Sequence, residues 1–307
     1  MTRLYQGKTM AAGISETALD GPFGVELGGV DFCRPLEDTE TSAIADAFHR
    51  HQALLFRAPG LGPREFLQFV RQFGEPDASA PQHEPVDVDG FTGLRLVSNI
   101  QEGGKPKGQF GHDEMGWHQD RWTDAAPPPA TILYGVEIPR VGGATAIANL
   151  CDAYDALPEA LRRRVEGRTI HFPLMVRDPR NTLAGADIHD EALFRIVPLV
   201  QTHAVTGRRF LFLGARRILS YIDTSPRVSG LDPQAGSALL DEIYVHISSP
   251  AFEYRHRWRV GDLLLWDNRC CAHRREAFDN AERRLLYAMP LVSSEVLWAP
   301  KGQPLAA

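Results

Sequence analysis
The chain has 307 residues, 43% of them hydrophobic, with 33 Lys and Arg against 39 Asp and Glu for a formal net charge of −6. That balance argues against a nucleic-acid partner, because basic charge drives non-specific binding there. Fifteen Phe, five Trp and 23% charged residues exclude a disordered chain, and no apolar run reaches the ~20 residues of a membrane span.

Residues 1–8 lack the apolar core of a signal peptide. Cys33, Cys151, Cys270 and Cys271 show no paired spacing, so they read as reduced thiols of a cytoplasmic protein. In chain order, residues 24–30 read as a strand. Residues 40–51 read as a helix with Ala43, Ile44, Ala47 and Phe48 on one face. Residues 53–56 form a short buried strand. Gly62-Pro63 opens a helix whose apolar face is Phe66, Phe69, Val70 and Phe73, closed by Gly74. Residues 76–112 are rich in Pro, Asp and Gly, and the stretch Glu-Gly-Gly-Lys-Pro-Lys-Gly at 102–108 reads as irregular. A loop of this length is usually functional, so residues 76–115 are expected to form a lid.

Beyond Trp117 the pattern is mainly β. Residues 130–138 read as a strand and 158–166 as a helix. Asp232-Pro233 starts a second helix, with Leu239, Leu240, Ile243 and Ile247 buried and Ser248-Ser249-Pro250 as its stop. Strands follow at 254–260, 263–266 and 284–291. Many short strands with turn signals predict a sandwich or jelly roll: mainly β with α decoration, an α+β protein. No linker divides the chain, so residues 1–307 are expected to form a single domain.

Three pieces carry chemistry. Trp117-His118-Gln119-Asp120 places His118 and Asp120 two apart, on one face if the segment is a strand. An imidazole and a carboxylate so placed are two thirds of a non-haem iron(II) triad. A tight turn at Gly261-Asp262 leads through an apolar strand to a polar cluster and His273. Arg284 follows 11 positions later, and residues 278–282 would turn a hairpin, setting His273 and Arg284 on adjacent strands facing one cavity. An arginine aimed into a barrel beside a metal points to an anionic ligand, since guanidinium matches carboxylate in a bidentate way.

Together these pieces resemble the taurine dioxygenase (TauD/TfdA) family of Fe(II)- and 2-oxoglutarate-dependent dioxygenases. That family carries His-x-Asp, a long gap, a second His, and Arg after ten intervening residues. Flanking blocks agree: residues 29–36, 54–57, 73–75, 134–145 and 198–208, so that the likeness runs from about residue 22 to 292. The resemblance implies a double-stranded β-helix (jelly roll, cupin-like) core over about residues 115–292. It implies iron on His118, Asp120 and His273, and 2-oxoglutarate held by Arg284 with the Thr145 hydroxyl as second anchor. Its activity would be oxidation, by O2, of a C–H bond of a small polar molecule, with succinate and CO2 released. Amino-acid-derived and natural-product substrates fit as well as catabolic ones. Related halogenases replace the carboxylate by a small residue, so the presence of Asp120 points to hydroxylation or another hydrogen-abstraction outcome. Family relatives are often dimers or tetramers, which implies a homo-oligomer.

The pattern breaks at Ala288, where taurine-oxidising members have an arginine for the sulfonate. Arg121, next to Asp120, and Arg274 and Arg275, next to His273, are candidate substitutes, and Glu114 is a candidate for a substrate amine. His112 and Asp113, at the end of the Gly-rich stretch, read as solvated or substrate-facing; His171 and His203 read as structural, and Trp117 and Trp266 as core. Three other functions compete. A cupin-like Zn or Mn isomerase or hydrolase on the same fold leaves Arg284 and Thr145 with nothing to hold. A non-catalytic small-molecule binder predicts a lost metal ligand, and none is lost. Nucleophilic catalysis by Cys270 or Cys271 with His273 leaves His118 and Asp120 unexplained.

Overall fold
The computed structural model describes residues 8–9, 13–58, 60–78, 86–174, 194–216 and 225–291. The strand Asp262–Asp267 is buried at all six positions. It pairs with Ala53–Arg57 on one side and Ala130–Glu137 on the other, both antiparallel. Leu285–Pro290 then pairs with Ala130–Glu137, and Phe91–Ser98 with Leu285–Pro290, in a ten-stranded sheet. These strands read as nearly continuous apolar runs because both sheet faces are covered.

Alternation sorts their side chains. Leu54, Phe56, Ile132, Tyr134, Leu263, Leu265 and Met289 share one core with helices α1 (Asp38–His51) and α2 (Pro63–Arg71). Their neighbours Leu55, Leu133, Leu264, Trp266, Leu286 and Ala288 share a second core with Ile147, Ala148, Cys271 and Ala272. The latter four belong to a four-stranded sheet in the order Met115–His118, Cys271–Arg275, Thr145–Asn149, Glu253–His256. Helices α3 (Leu150–Asp155), α4 (Glu159–Val165) and α5 (Pro233–Ile247) contribute to that same core. The protein is thus mostly β with helices on its flanks. Among the described residues, no helix is long and apolar enough to cross a membrane.

Local chemistry sets the helix ends. Pro63 occupies the first turn of α2, and the Asp232 carboxylate accepts the Gln234 and Ala235 N–H groups at the start of α5. Helix α1 begins at Asp38, two residues before the sequence signal, because Glu37 and Glu40 cap each other's backbone.

Two expectations are corrected. The Pro- and Gly-rich segment is not one long loop: it holds Val86–Val88 and the eight-residue strand Phe91–Ser98, and Gln101–Glu102 pairs with Lys105–Pro106 around Gly103 and Gly104, both at positive φ. Residues 79–85 of the expected lid lie outside the described residues. Nor do His273 and Arg284 sit on a hairpin. The chain leaves the four-stranded sheet after Arg275 and enters the ten-stranded sheet at Leu285, so the two residues approach from opposite sheets.

Candidate active site
His118 ends its strand and is the register partner of His273, which brings the two rings to 4.0 Å between centroids. The strand stops there, so Asp120 is not placed by strand alternation. Asn268 places it: its Oδ1 accepts the Asp120 N–H at 2.7 Å, and its Nδ2 donates to the Asp120 and Pro128 carbonyls, each at 3.0 Å. Gln119, fully buried, fixes the turn from the other side. It accepts the Leu213 and Gly214 N–H groups and donates to the Asn268 and Arg269 carbonyls.

Asp120 Oδ1 lies 3.7 Å from Nε2 of both His118 and His273. Those separations are too long for hydrogen bonds and leave room for an ion among three converging donor atoms. Asp120 Oδ2 is occupied, accepting the Thr131 hydroxyl at 2.6 Å. His118 Nδ1 lies 2.8 Å from the Gly116 carbonyl; a carbonyl only accepts, so Nδ1 carries the proton and Nε2 presents its lone pair. Burial, with His118 alongside, pushes His273 down to about 3, so it is neutral. Burial would raise Asp120, but its neighbours, the Thr131 hydroxyl and the Arg95 charge among them, outweigh it and hold the carboxyl below its ordinary range. Two imidazoles and one carboxylate suit iron(II) better than a soft metal.

Arg284 leads into Leu285–Pro290, its backbone N–H bonded to Asn99 Oδ1. Its side chain is 1% exposed; Nη2 reaches the Gly143 carbonyl at 3.4 Å, while Nε and Nη1 have no acceptor. A buried charge left so is costly. Gly143, at φ +66°, makes room for it: a Cβ there would stand 3.3 Å from Arg284 Nε. Thr145, also buried, accepts the Trp258 indole N–H at 3.0 Å and keeps its own proton free to donate.

The remaining candidates are placed as follows. Arg121, at φ +52°, turns its guanidinium to Asp77 and Asp124. Glu114 and Asp113 are exposed and His112 is half-buried. Arg274 pairs with Glu253 and covers the Trp117 ring. Arg275 is buried. Ala288 sits in the inward-facing row Leu133–Ala288–Arg95. Sequence reasoning missed Arg95. It is the cross-strand partner of Ala288, contributes to holding Asp120 ionised, and has a buried Nε without an acceptor. Its signal, alternation through Leu94-Arg95-Leu96, was hidden inside a segment read as loop. A second group, His49, His203 and Asp267, also brings donor atoms together. There His203 Nδ1 accepts two backbone N–H groups, so Nε2 carries the proton and donates to Asp267, which Arg269 also grips. That is a hydrogen-bonded network rather than a metal site. All four cysteines are free thiols. Burial raises Cys271 above its ordinary value, which removes the thiolate a nucleophile needs.

Two histidines and a carboxylate thus converge from between the sheets, and a buried arginine enters from the ten-stranded sheet. The chain belongs to the family described as Taurine catabolism dioxygenase TauD, TfdA, which it matches over residues 15–289. It is 32% identical to an alpha-ketoglutarate-dependent 2,4-dichlorophenoxyacetate dioxygenase of Cupriavidus pinatubonensis, over 86% of this chain and 92% of that one. It is 30% identical to an alpha-ketoglutarate-dependent sulfate ester dioxygenase of Pseudomonas putida, over 82% and 81%. A solved structure of a taurine dioxygenase from Burkholderia xenovorans superposes with a TM-score of 0.70 at 30% identity, covering 91% of each chain. The protein is a 2-oxoglutarate-dependent dioxygenase acting on a small molecule.

Proposed function
We propose that His118, Asp120 and His273 hold iron(II), and that Arg284, with Thr145, binds the distal carboxylate of 2-oxoglutarate. The observation that carries this reading is the pairing of an ion-sized gap among three donors with a buried guanidinium whose Nε and Nη1 have no acceptor. When bound, iron(II) with 2-oxoglutarate and O2 supplies oxidation of a substrate C–H bond, with succinate and CO2 as by-products. The chain supplies position and dryness. Thr131 orients Asp120, Gly116 fixes the tautomer of His118, and Trp266, fully buried 4.7 Å from the His273 ring, closes the inner wall against water. The two facing sheets are read as a jelly-roll core, and the match over residues 15–289 supports a single domain.

The substrate is read as a small molecule with an anionic group. Relatives are named for an aryloxyacetate and for sulfate esters. Ala288 offers no charge, but Arg95 faces the same interior from the adjacent strand, one row from Thr131 and the donor cluster. This replaces Arg121, whose guanidinium two aspartates already occupy, and Glu114, which is exposed.

The test is anaerobic. Iron(II) and 2-oxoglutarate added to the apo-protein should give a visible charge-transfer band, absent in His118→Ala and Asp120→Ala. Small carboxylates and sulfate esters should then perturb that band where neutral amines do not. Iron binding with no band would return the protein to the metal-dependent isomerase or hydrolase reading.

A further inference from the structure
We propose that Arg275 is a second anchor for the distal carboxylate of 2-oxoglutarate, working beside Arg284 rather than on the primary substrate. The proposal rests on the role given to Arg284 above. Arg275 lies two residues beyond His273 on the same strand, so it shares the inward face of the metal cluster. Its register partner is Thr145. Arg284 arrives at the same place from the opposite sheet. The two guanidinium carbons lie 5.8 and 5.7 Å from the centroid of one ring, Phe278, and the charge of Arg275 bears on Arg284.

The pair is an electrostatic problem that the protein alone leaves unsolved. Both side chains are at least 96% buried, Arg275 4% and Arg284 1% exposed. Both keep Nε and Nη1 buried without an acceptor. The acidic group felt by Arg275 is Asp113, whose side chain is mostly exposed. Two like charges out of water need an anion between them. A carboxylate has about four lone-pair sites; two nitrogens of Arg284 and the Thr145 hydroxyl fill three, which leaves one for Arg275.

Arg275 also does something that Arg284 does not. Its Nη2 donates to the Phe110 carbonyl at 2.8 Å and to the Asp113 carbonyl. The guanidinium that grips the co-substrate thus also ties down the segment leading into the strand of His118.

The experiment compares 2-oxoglutarate with 2-oxobutyrate, the same keto acid without the distal carboxylate. Each is titrated anaerobically into the iron(II)-loaded protein and followed by its absorption band. Arg275→Gln should weaken 2-oxoglutarate by roughly 10- to 100-fold, the scale of hydrogen bonds to a charged group. It should leave 2-oxobutyrate affinity and iron stoichiometry unchanged. Equal weakening of both acids would make Arg275 a structural brace, and no weakening of either would remove it from the site; either result overturns the proposal. Arg284→Gln separates the two levels. If it weakens 2-oxoglutarate while Arg275→Gln does not, only the second anchor fails. If it leaves 2-oxoglutarate unaffected, the underlying reading fails too. Should Arg275→Gln not fold, Arg275→Lys keeps a charge but cannot serve the loop carbonyls and the carboxylate together. It should lose 2-oxoglutarate selectively, and an equal loss of both acids would again overturn the proposal.

Discussion

Replacing Arg284 by methionine removes a charge that the fold buries with two of its three nitrogens lacking an acceptor. Burial, with Arg275 alongside, pushes the guanidinium well below its ordinary value, down to about 9. At ~1.36 kcal/mol per pH unit, that corresponds to about 5 kcal/mol of unfavourable charge burial, an upper bound because water entering the site recovers part of it. A hydrophobic residue of similar volume in place of a buried ion commonly stabilises by ~1–4 kcal/mol. The apo variant should therefore melt above the apo wild type, by roughly 2 °C for each kcal/mol in a chain of this size. The wild type, given iron(II) and 2-oxoglutarate at a hundred times Kd, should gain about 2.7 kcal/mol; the variant should gain almost nothing from the acid. Differential scanning calorimetry under nitrogen, with and without 2-oxoglutarate, reads both effects. The gap between the two apo-proteins should also narrow as pH rises through 9. The folded guanidinium sheds its proton there while the unfolded one keeps it, so the wild type is relieved of the penalty. A variant that melts well below wild type yet still responds to 2-oxoglutarate would show Arg284 to be a structural brace and would refute the reasoning.

Thr131→Val removes the hydroxyl bonded to Asp120 Oδ2 and should weaken iron(II) binding roughly 10- to 100-fold in a chelator competition; unchanged affinity would discount the orienting role. Asp267→Asn breaks the buried contacts to Arg269 and His203 and should cost about 3–5 kcal/mol in urea unfolding. Burial would raise the Asp267 carboxyl, but Arg269 and His203 hold it far below its ordinary range. Its stabilisation is therefore present above pH ~4 and lost as pH falls toward the lower folded value, so the gap between wild type and variant should shrink in acid. Gly143→Ala adds a Cβ at φ +66°, 3.2 Å from Pro139 Cγ and 3.3 Å from Arg284 Nε. The variant should lose at least ~1 kcal/mol of stability and bind 2-oxoglutarate more weakly, with no loss of iron by metal analysis.

Much of the ten-stranded sheet was legible because its strands are buried on both faces. Leu263-Leu264-Leu265-Trp266 and Ala53-Leu54-Leu55-Phe56 have no other plausible place than between two layers. The start of α5 was legible because Asp232 and Pro233 state it in local chemistry. Phe91–Ser98 was not, because Arg95 interrupts its apolar face and Gly93 weakens its strand signal. The donor residues His118, Asp120 and His273 could be named from spacing, but the reason they converge could not. It depends on a register between distant strands and on Asn268, whose amide has no local signature. Spacing alone also suggested a hairpin from His273 to Arg284, since 11 positions span a hairpin or a crossing between sheets equally well; only the pairing of Leu285–Pro290 with Ala130–Glu137 decides between them. The burial of Arg275 was hidden for a simpler reason. Arginine is ordinarily a surface residue, and the adjacent Glu276 gives no hint of the exception, since it pairs with Arg255 instead.

The clamp between Asn268 and Asp120 also sets a timetable. Asp120 and His273 are 153 positions apart in the chain. At the ~5–20 residues per second of synthesis, roughly 8–30 seconds pass between the two leaving the ribosome's catalytic centre. During that interval the Asp120 N–H and the Gln119 amide lack the partners from 268 and 269 that will hold them. The three donors do not yet exist as a set, so a growing chain offers no pocket to a passing ion. On the proposed metal site, loading therefore belongs to the finished fold rather than to the growing chain.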